Sequence, residues 1–321
     1  MSKLRAAVIG AGYFGRLHAT KLAANPEVEL VAVADLDSAR ADGVAGETGC
    51  RPVRDFRELI GGIDLASVVV PTRAHHAVAS PLIDAGVHVM VEKPITETLE
   101  QADELVQLAA QRGTLLAVGH QERFNPAFAA LRAEMSRALF IDAERLTEYR
   151  GRGTDVDIVL DLMIHDLDLV LALTGADPIH VSACGFSVFT DALDIANARL
   201  EFADGCVANI SASRVSQTPV RKLRVFQPHG YVSADLQAAR LRSLRRSATA
   251  VGGIAIEEQA FENTDALGAG VAAFIGAVRG RRPPPVDGEA GRRALKLALE
   301  IGELVRGRLD RIFPNDAVSA A

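Results

Sequence analysis

Along the first 120 residues, short β-branched runs alternate with longer stretches of helical periodicity. The runs fall at residues 6–9, 29–34, 66–70, 87–91 and 115–118, and the helix-like stretches at 14–24, 38–48, 75–85 and 99–112. None of the runs alternates apolar with polar positions. That pattern predicts strands buried on both faces, as in a parallel sheet with helices on either side. Strand–helix alternation at this spacing predicts right-handed crossovers and a doubly wound α/β domain.

After residue 120 the rhythm changes. A helix is predicted after Pro126, a strand over 140–149 and a long helix over 157–173. Strand-like runs follow at 180–188, 195–202, 206–213 and 222–227. Ala203-Asp204-Gly205, between two of them, predicts an antiparallel hairpin. Helices over 266–279 and 288–308 close the chain, separated by Pro283-Pro284-Pro285. Bunched strands with flanking helices predict an α+β domain with an open, mainly antiparallel sheet. The expected division is 1–120 and 121–321. An open sheet must cover its second face, so a homo-oligomer formed through that sheet is expected.

Composition narrows the class. A chain of 321 residues with 49% apolar and 24% charged positions reads as an ordinary globular protein, which excludes disordered, collagen-like and disulfide-framework classes. A net charge of −6 argues against a protein that coats nucleic acid or an anionic membrane. Cys50, Cys184 and Cys206 show no CxxC spacing. They are expected to be buried free thiols in a reducing compartment, with no metal bound. The N-terminal apolar stretch is too short for a signal peptide, and the apolar region 156–174 carries Asp157, Asp161, His165, Asp166 and Asp168, so it is not a membrane span. A cytoplasmic location is expected.

Two places carry candidate chemistry. Gly10-Ala11-Gly12-Tyr13-Phe14-Gly15 fits G-x-G-x-x-G; it follows a predicted strand, opens a predicted helix and precedes Asp35 by twenty residues. Gly10 permits the tight turn, Gly12 lets backbone approach a pyrophosphate, and Gly15 allows close helix–sheet packing. The helix N-terminus offers N–H groups and a positive dipole end to the phosphates, with Tyr13 and Phe14 in the same turn. Asp35 is placed to bind the adenosine ribose hydroxyls and to repel a 2′-phosphate. No arginine directly follows it, so NAD is expected over NADP, with Arg40 the nearby cation that argues otherwise. Asp37 and Ser38 are better placed than Asp35 to cap the next helix. Residues 1–120 are thus read as a Rossmann-type NAD-binding domain.

The second place has two parts. The fifth predicted strand ends in Glu92-Lys93-Pro94, beyond the carboxyl edge where open α/β sheets bind ligands. Pro94 stiffens that turn and disfavours a helical Lys93. At 100° per residue, Asp157, Asp161, His165 and Asp168 fall within a stripe about 80° wide on an otherwise apolar helix. From the residues alone, the stripe reads as a satisfied core network, a metal site or an acid–base site.

With these motifs the chain resembles the Gfo/Idh/MocA family of nicotinamide-dependent oxidoreductases over essentially its whole length. The glycines, Asp35, Glu92-Lys93-Pro94, and Asp161-x3-His165 with Asp168 following carry the resemblance. It implies that Lys93, Asp161 and His165 are catalytic, and that Glu92 lies with Lys93 at the cofactor. Pro71, Thr72 and His75 match the loop that usually touches the cofactor in that family. Arg123-Phe124-Asn125-Pro126 resembles the segment near nicotinamide and substrate, which implies roles for Arg123 and Asn125. Many sugar and polyol members carry glycines just before the Asp-x3-His helix and one within it. Here Gly151-Arg152-Gly153-Thr154-Asp155-Val156-Asp157 precedes it and Met163 lies inside. Together with 121–126, this is most similar to the branch that oxidises UDP-N-acetylglucosamine at its 3-hydroxyl, supplying a ketosugar to an aminotransferase for lipid A assembly.

The implied reaction is oxidation of a sugar secondary hydroxyl to a ketone by NAD⁺. His165, with an unperturbed pKa of about 6.5, is the expected base. Lys93 would stabilise the developing alkoxide, and Asp161 would hold a neighbouring hydroxyl or orient the imidazole. Lys93 as base is the competing assignment. Arg123, Arg145, Arg150, Arg152, Arg221 and Lys222 are candidate cations for a diphosphate. Arg240, Arg242, Arg245 and Arg246 read instead as a solvated or subunit-contacting face. A dehydrogenase of a free polyol or aldose, and a non-catalytic dinucleotide-binding regulator, are the alternative functions.

Overall fold

A computed structural model describes residues 2–149, 157–262 and 265–313. The chain divides into two compact units. One comprises Met1–Phe124 and Asp265–Leu295, the other Asn125–Thr264 and Lys296–Ala321.

The first unit alternates strand and helix: β1 (Leu4–Ile9), α1 (Tyr13–Ala24), β2 (Val28–Ala34), α2 (Ser38–Thr48), β3 (Arg51–Val53), β4 (Leu65–Val68), α3 (His75–Asp84), β5 (His88–Val91), α4 (Leu99–Arg112) and β6 (Leu116–Val118). All six strands are parallel, in the order β3-β2-β1-β4-β5-β6. This is the doubly wound order, with its switch point between β1 and β4. Ala6, Ala7, Val8 and Ile9 are all buried without alternation, because helices cover both faces. Asp37 caps α2 by accepting from the Ala39 and Arg40 amides, and Thr98 caps α4 by accepting from Gln101.

Residues 265–295 return to this unit, which corrects the expected division at 120/121. The reason is packing. In α7 (Ala266–Gly280), Leu267, Val271, Phe274, Ile275 and Val278 join the core formed by Ala6, Val8, Leu22, Val33 and Leu65. Val118 donates its amide to Val286 O at 3.1 Å, extending the edge at β6. The start of α8 (Gly288–Ile312) lies close on β6; a Cβ on Gly291 would come within 2.5 Å of the Val118 side chain.

The second unit begins with α5 (Pro126–Glu134) and holds one eight-stranded sheet: β7 (Phe140–Leu146), β8 (His180–Phe186), β9 (Ile195–Glu201), β10 (Val207–Ser213), β11 (Val220–Gln227), β12 (Gly230–Asp235), β13 (Arg240–Arg246) and β14 (Ile254–Ala260). The order is β14-β13-β12-β11-β7-β10-β9-β8, antiparallel except for the β7–β10 pair. The turn at 203–205 closes the β9–β10 hairpin as predicted. Helices α5 and α6 (Ile164–Thr174) pack on one face of the sheet, so inward residues such as Ile141, Ala143, Leu223, Val225 and Leu241 are buried while their neighbours face outward. Strands β12 to β14 are absent from the sequence expectation; β13 is rich in arginine and β14 is exposed along most of its length, so neither reads as an apolar run.

Candidate active site

The glycine loop has the geometry that its spacing demands. Gly10 takes φ 102°, and a Cβ there would lie 2.4 Å from Val69 O. A Cβ on Gly15 would lie 1.8 Å from Gly10 O, so α1 folds directly against the loop. A Cβ on Gly12 would meet nothing within 4 Å, and no side chain caps the N-terminus of α1. Open space in front of uncapped amides at a helix N-terminus fits a pyrophosphate. Tyr13 and Phe14 stand exposed beside it, their rings edge to face at 5.4 Å.

Asp35 follows β2. Its Oδ2 accepts from Ala11 N at 2.7 Å and its Oδ1 from Asp37 N at 2.9 Å. The carboxylate therefore stiffens the glycine loop, and each oxygen retains a lone pair for a ribose hydroxyl. Arg40 leans on Asp37, with Nε 3.2 Å from Oδ2.

Pro71 and Thr72 begin a short 3-10 turn beyond β4, at the switch-point edge. His75 does not share that exposure. It is 1% exposed, with Nδ1 2.9 Å from Pro94 O and Nε2 2.9 Å from Val70 O. Burial pushes this imidazole below its ordinary value, against the backbone hydrogen bonds and the charge of Glu92. The ring thus braces the loop beyond β4 against the Glu92-Lys93-Pro94 turn. Glu92 is likewise engaged internally, by His18 Nε2 at 3.0 Å and Gln121 Nε2 at 3.2 Å. Burial alone would raise this carboxyl; the hydrogen bonds and charges of His18, Gln121 and Lys93 outweigh it and hold it below the ordinary range. Lys93 follows β5, half-buried, and its peptide bond to Pro94 is cis. Arg123 lies in a 3-10 turn over Gln121–Phe124.

In the second unit, Asn125 ties α5 to the sheet. Its Oδ1 caps α5 from Ala127 N at 3.0 Å and its Nδ2 donates to Leu236 O at 2.8 Å, with the residue 7% exposed.

The helix over 157–173 opens with a π-turn, Val159–Met163, before α6. The wider turn shifts the angular register and breaks the expected stripe. Asp157, Asp161 and His165 are half-buried, but Asp168 is 1% exposed. Asp157 caps the turn through Val159 N at 2.9 Å; burial raises its carboxyl, opposed by that bond and by Arg306 and Arg214. Asp166, outside the stripe, forms a buried pair with Arg145, whose Nε and Nη2 reach its two oxygens at 2.8 and 3.0 Å. Arg145 therefore neutralises a buried carboxylate. Arg221 and Lys222 are adjacent on β11 and point to opposite faces, so they do not converge. Arg150 and Arg152 lie outside the described residues. Among the described residues, no group of three or more His, Cys, Asp or Glu is arranged to hold a metal.

The sequence reading missed His18, a buried residue of α1 whose ring nitrogens face Glu92 and Ser67. Its signal was a lone polar residue on the buried side of α1.

Comparison with known proteins places both units. Residues 4–120 match the model described as "Oxidoreductase family, NAD-binding Rossmann fold", and residues 130–233 match "GFO/IDH/MocA C-terminal domain". The chain is 41% identical over 315 residues to the UDP-N-acetylglucosamine 3-dehydrogenase of Acidithiobacillus ferrooxidans, covering 97% of this chain and all of that one. A solved structure of the Acidithiobacillus ferrooxidans enzyme superposes with a TM-score of 0.91 at 40% identity, covering 96% and 99% of the two chains. The myo-inositol dehydrogenase Hyg17 of Streptomyces leeuwenhoekii is 33% identical, over 70% of this chain and 71% of its own.

Proposed function

The chain belongs to the Gfo/Idh/MocA family of NAD-binding oxidoreductases, and from that premise we propose that it oxidises UDP-N-acetylglucosamine to the 3-keto nucleotide sugar. The observation that carries the substrate assignment is the 41% identity to the Acidithiobacillus ferrooxidans enzyme across all of that enzyme's length. The inositol dehydrogenase matches a shorter share at lower identity, which makes a free polyol the second reading.

Bound NAD⁺ supplies the hydride acceptor. Gly10, Gly12 and Gly15 hold its pyrophosphate at the α1 N-terminus, and Asp35 takes the ribose hydroxyls. His165 removes the proton of the reacting hydroxyl, because an unassisted sugar hydroxyl is too weak an acid at neutral pH. Lys93 stabilises the negative charge that develops on that oxygen. Asp161 binds a neighbouring hydroxyl or orients the imidazole. Lys93 belongs to the first unit and His165 to the second. Arg123, Arg221 and Lys222 remain described candidates for the diphosphate.

The open face of the eight-stranded sheet supports a homo-oligomer. Phe140, Phe226, Tyr231, Leu244 and Ile256 form one apolar row across five strands, with ring centroids 5.6 and 4.8 Å apart along the first three. Beside it, Arg224 pairs with Asp142 and Glu144, and Arg242 with Glu258. No helix of the described residues is long and apolar enough to cross a membrane. Cys50, Cys184 and Cys206 are free thiols, which suits the cytoplasm, where the ketosugar would meet an aminotransferase for lipid A assembly.

NADH formation with UDP-N-acetylglucosamine, myo-inositol and glucose tests the reading. The nucleotide sugar is expected to give the highest kcat/KM. Turnover of inositol alone would shift the assignment to the polyol, and silence with all three would leave a dinucleotide-binding regulator.

A further inference from the structure

The Glu92-Lys93-Pro94 turn is gripped from both sides by buried histidines that the reaction scheme above does not use. His18, in the second turn of α1, is 1% exposed. Its Nε2 lies 3.0 Å from Glu92 Oε1 and its Nδ1 3.2 Å from Ser67 Oγ on β4. Gln121 Nε2 donates to the same Glu92 oxygen at 3.2 Å, and the Lys93 backbone N–H donates to Glu92 Oε2 at 3.3 Å. A Cβ on Gly119 would come within 2.5 Å of this carboxylate, so the chain keeps side-chain bulk away from it. On the far side of Lys93, His75 is also 1% exposed and bridges Pro94 O and Val70 O, each at 2.9 Å.

Buried ionisable groups are costly, and apolar side chains of the same size often fill such space with no loss of stability. Here two of them converge on the residues immediately before and after one lysine. Each also ties that lysine's turn to a different part of the cofactor platform: His18 to the helix that opens at the glycine loop, His75 to the loop beyond β4. A lysine ends in a compact charge on a flexible four-carbon stem, so its placement depends on how firmly its backbone is held. A misplacement of about 1 Å at a reacting centre costs on the order of 100-fold in rate.

We propose that His18, acting through Glu92, and His75, acting at the Pro94 carbonyl, are positioning residues that hold Lys93 for turnover. The proposal rests on the role given to Lys93 in the dehydrogenation.

The test uses the full chain with NAD⁺ and UDP-N-acetylglucosamine. His18→Leu keeps bulk and removes both ring nitrogens, whereas His18→Gln restores an amide nitrogen toward the place of Nε2. His18→Leu is expected to lower kcat by about 10- to 100-fold while KM and the NADH dissociation constant stay within about threefold, a split that marks an interaction used in the transition state. His18→Gln is expected to recover most of kcat. Glu92→Gln keeps the shape and removes the charge, and is expected to lower kcat without weakening NADH. Hydrogen exchange at the Lys93 amide should quicken in His18→Leu. Wild-type kcat in His18→Leu and Glu92→Gln, or a loss that His18→Gln does not recover, overturns the proposal. Wild-type turnover in Lys93→Ala would instead overturn the dehydrogenase scheme. In that case an unchanged Lys93 amide exchange rate in His18→Leu overturns the clamp as well, and a quickened one upholds it.

Discussion

The glycine loop and the Asp161–His165 helix contribute to the proposed site by opposite means. At the loop the working parts are backbone: the requirement at Gly10 and Gly15 is that no side chain exist, since a Cβ would fall 2.4 Å from Val69 O and 1.8 Å from Gly10 O. On the helix the working parts are side chains whose meaning depends on partners from other elements. Asp161 and His165 stay half-buried, whereas Asp166 and Asp168, spaced just as plausibly, are sealed in the interior, the first against Arg145 from β7. A motif defined by missing atoms keeps its meaning wherever it folds. A motif defined by charge acquires its meaning from the sheet beneath it.

The largest test of that contrast is Arg145→Met. It leaves the Asp166 carboxylate buried without its cation, and is expected to lower stability by about 3–5 kcal/mol in urea unfolding. Arg145→Met with Asp166→Leu should return most of the loss. A raised substrate KM at unchanged stability would instead make Arg145 a ligand-binding cation and erase the contrast. Next, Gly15→Ala is expected to cost about 1–3 kcal/mol and to weaken NAD, because either α1 or the loop must move. Calorimetry with and without NAD reads both effects.

Asp35→Ala removes a ribose acceptor and the brace on Ala11 N, and is expected to weaken NAD about tenfold, or about 1.4 kcal/mol, while narrowing the preference against NADP. Titration of both cofactors checks it. The smallest effect is on pH dependence. The folded Glu92 carboxyl sits below its ordinary value of 4.5, so its stabilisation is complete above that pH and is lost as pH falls through the folded value. Glu92→Gln should therefore flatten the acid side of the Tm profile and leave the neutral region's slope unchanged.

Much of the first unit was legible because strands buried on both faces and helices with caps at Asp37 and Thr98 leave local signatures. The return of residues 265–295 was not legible, since the apolar face of α7 fits any core and only the tertiary fold shows that it joins Val8 and Leu65. Strands β13 and β14 were hidden by arginines and glutamates that pair across strands, as Arg242 does with Glu258. The π-turn at Val159–Met163 was invisible to a stripe drawn at a fixed 100° per residue. Asn125 and His75 each bond backbone groups of other elements, which no spacing rule reveals.

The central claim is that the Lys93 ammonium and the His165 imidazole both serve turnover. Its most direct test is the turnover of Lys93→Ala and His165→Ala with UDP-N-acetylglucosamine, beside their NADH dissociation constants. Each variant is expected to lose on the order of 10²–10⁴-fold in kcat with NADH binding intact. Wild-type turnover in either one would contradict the account.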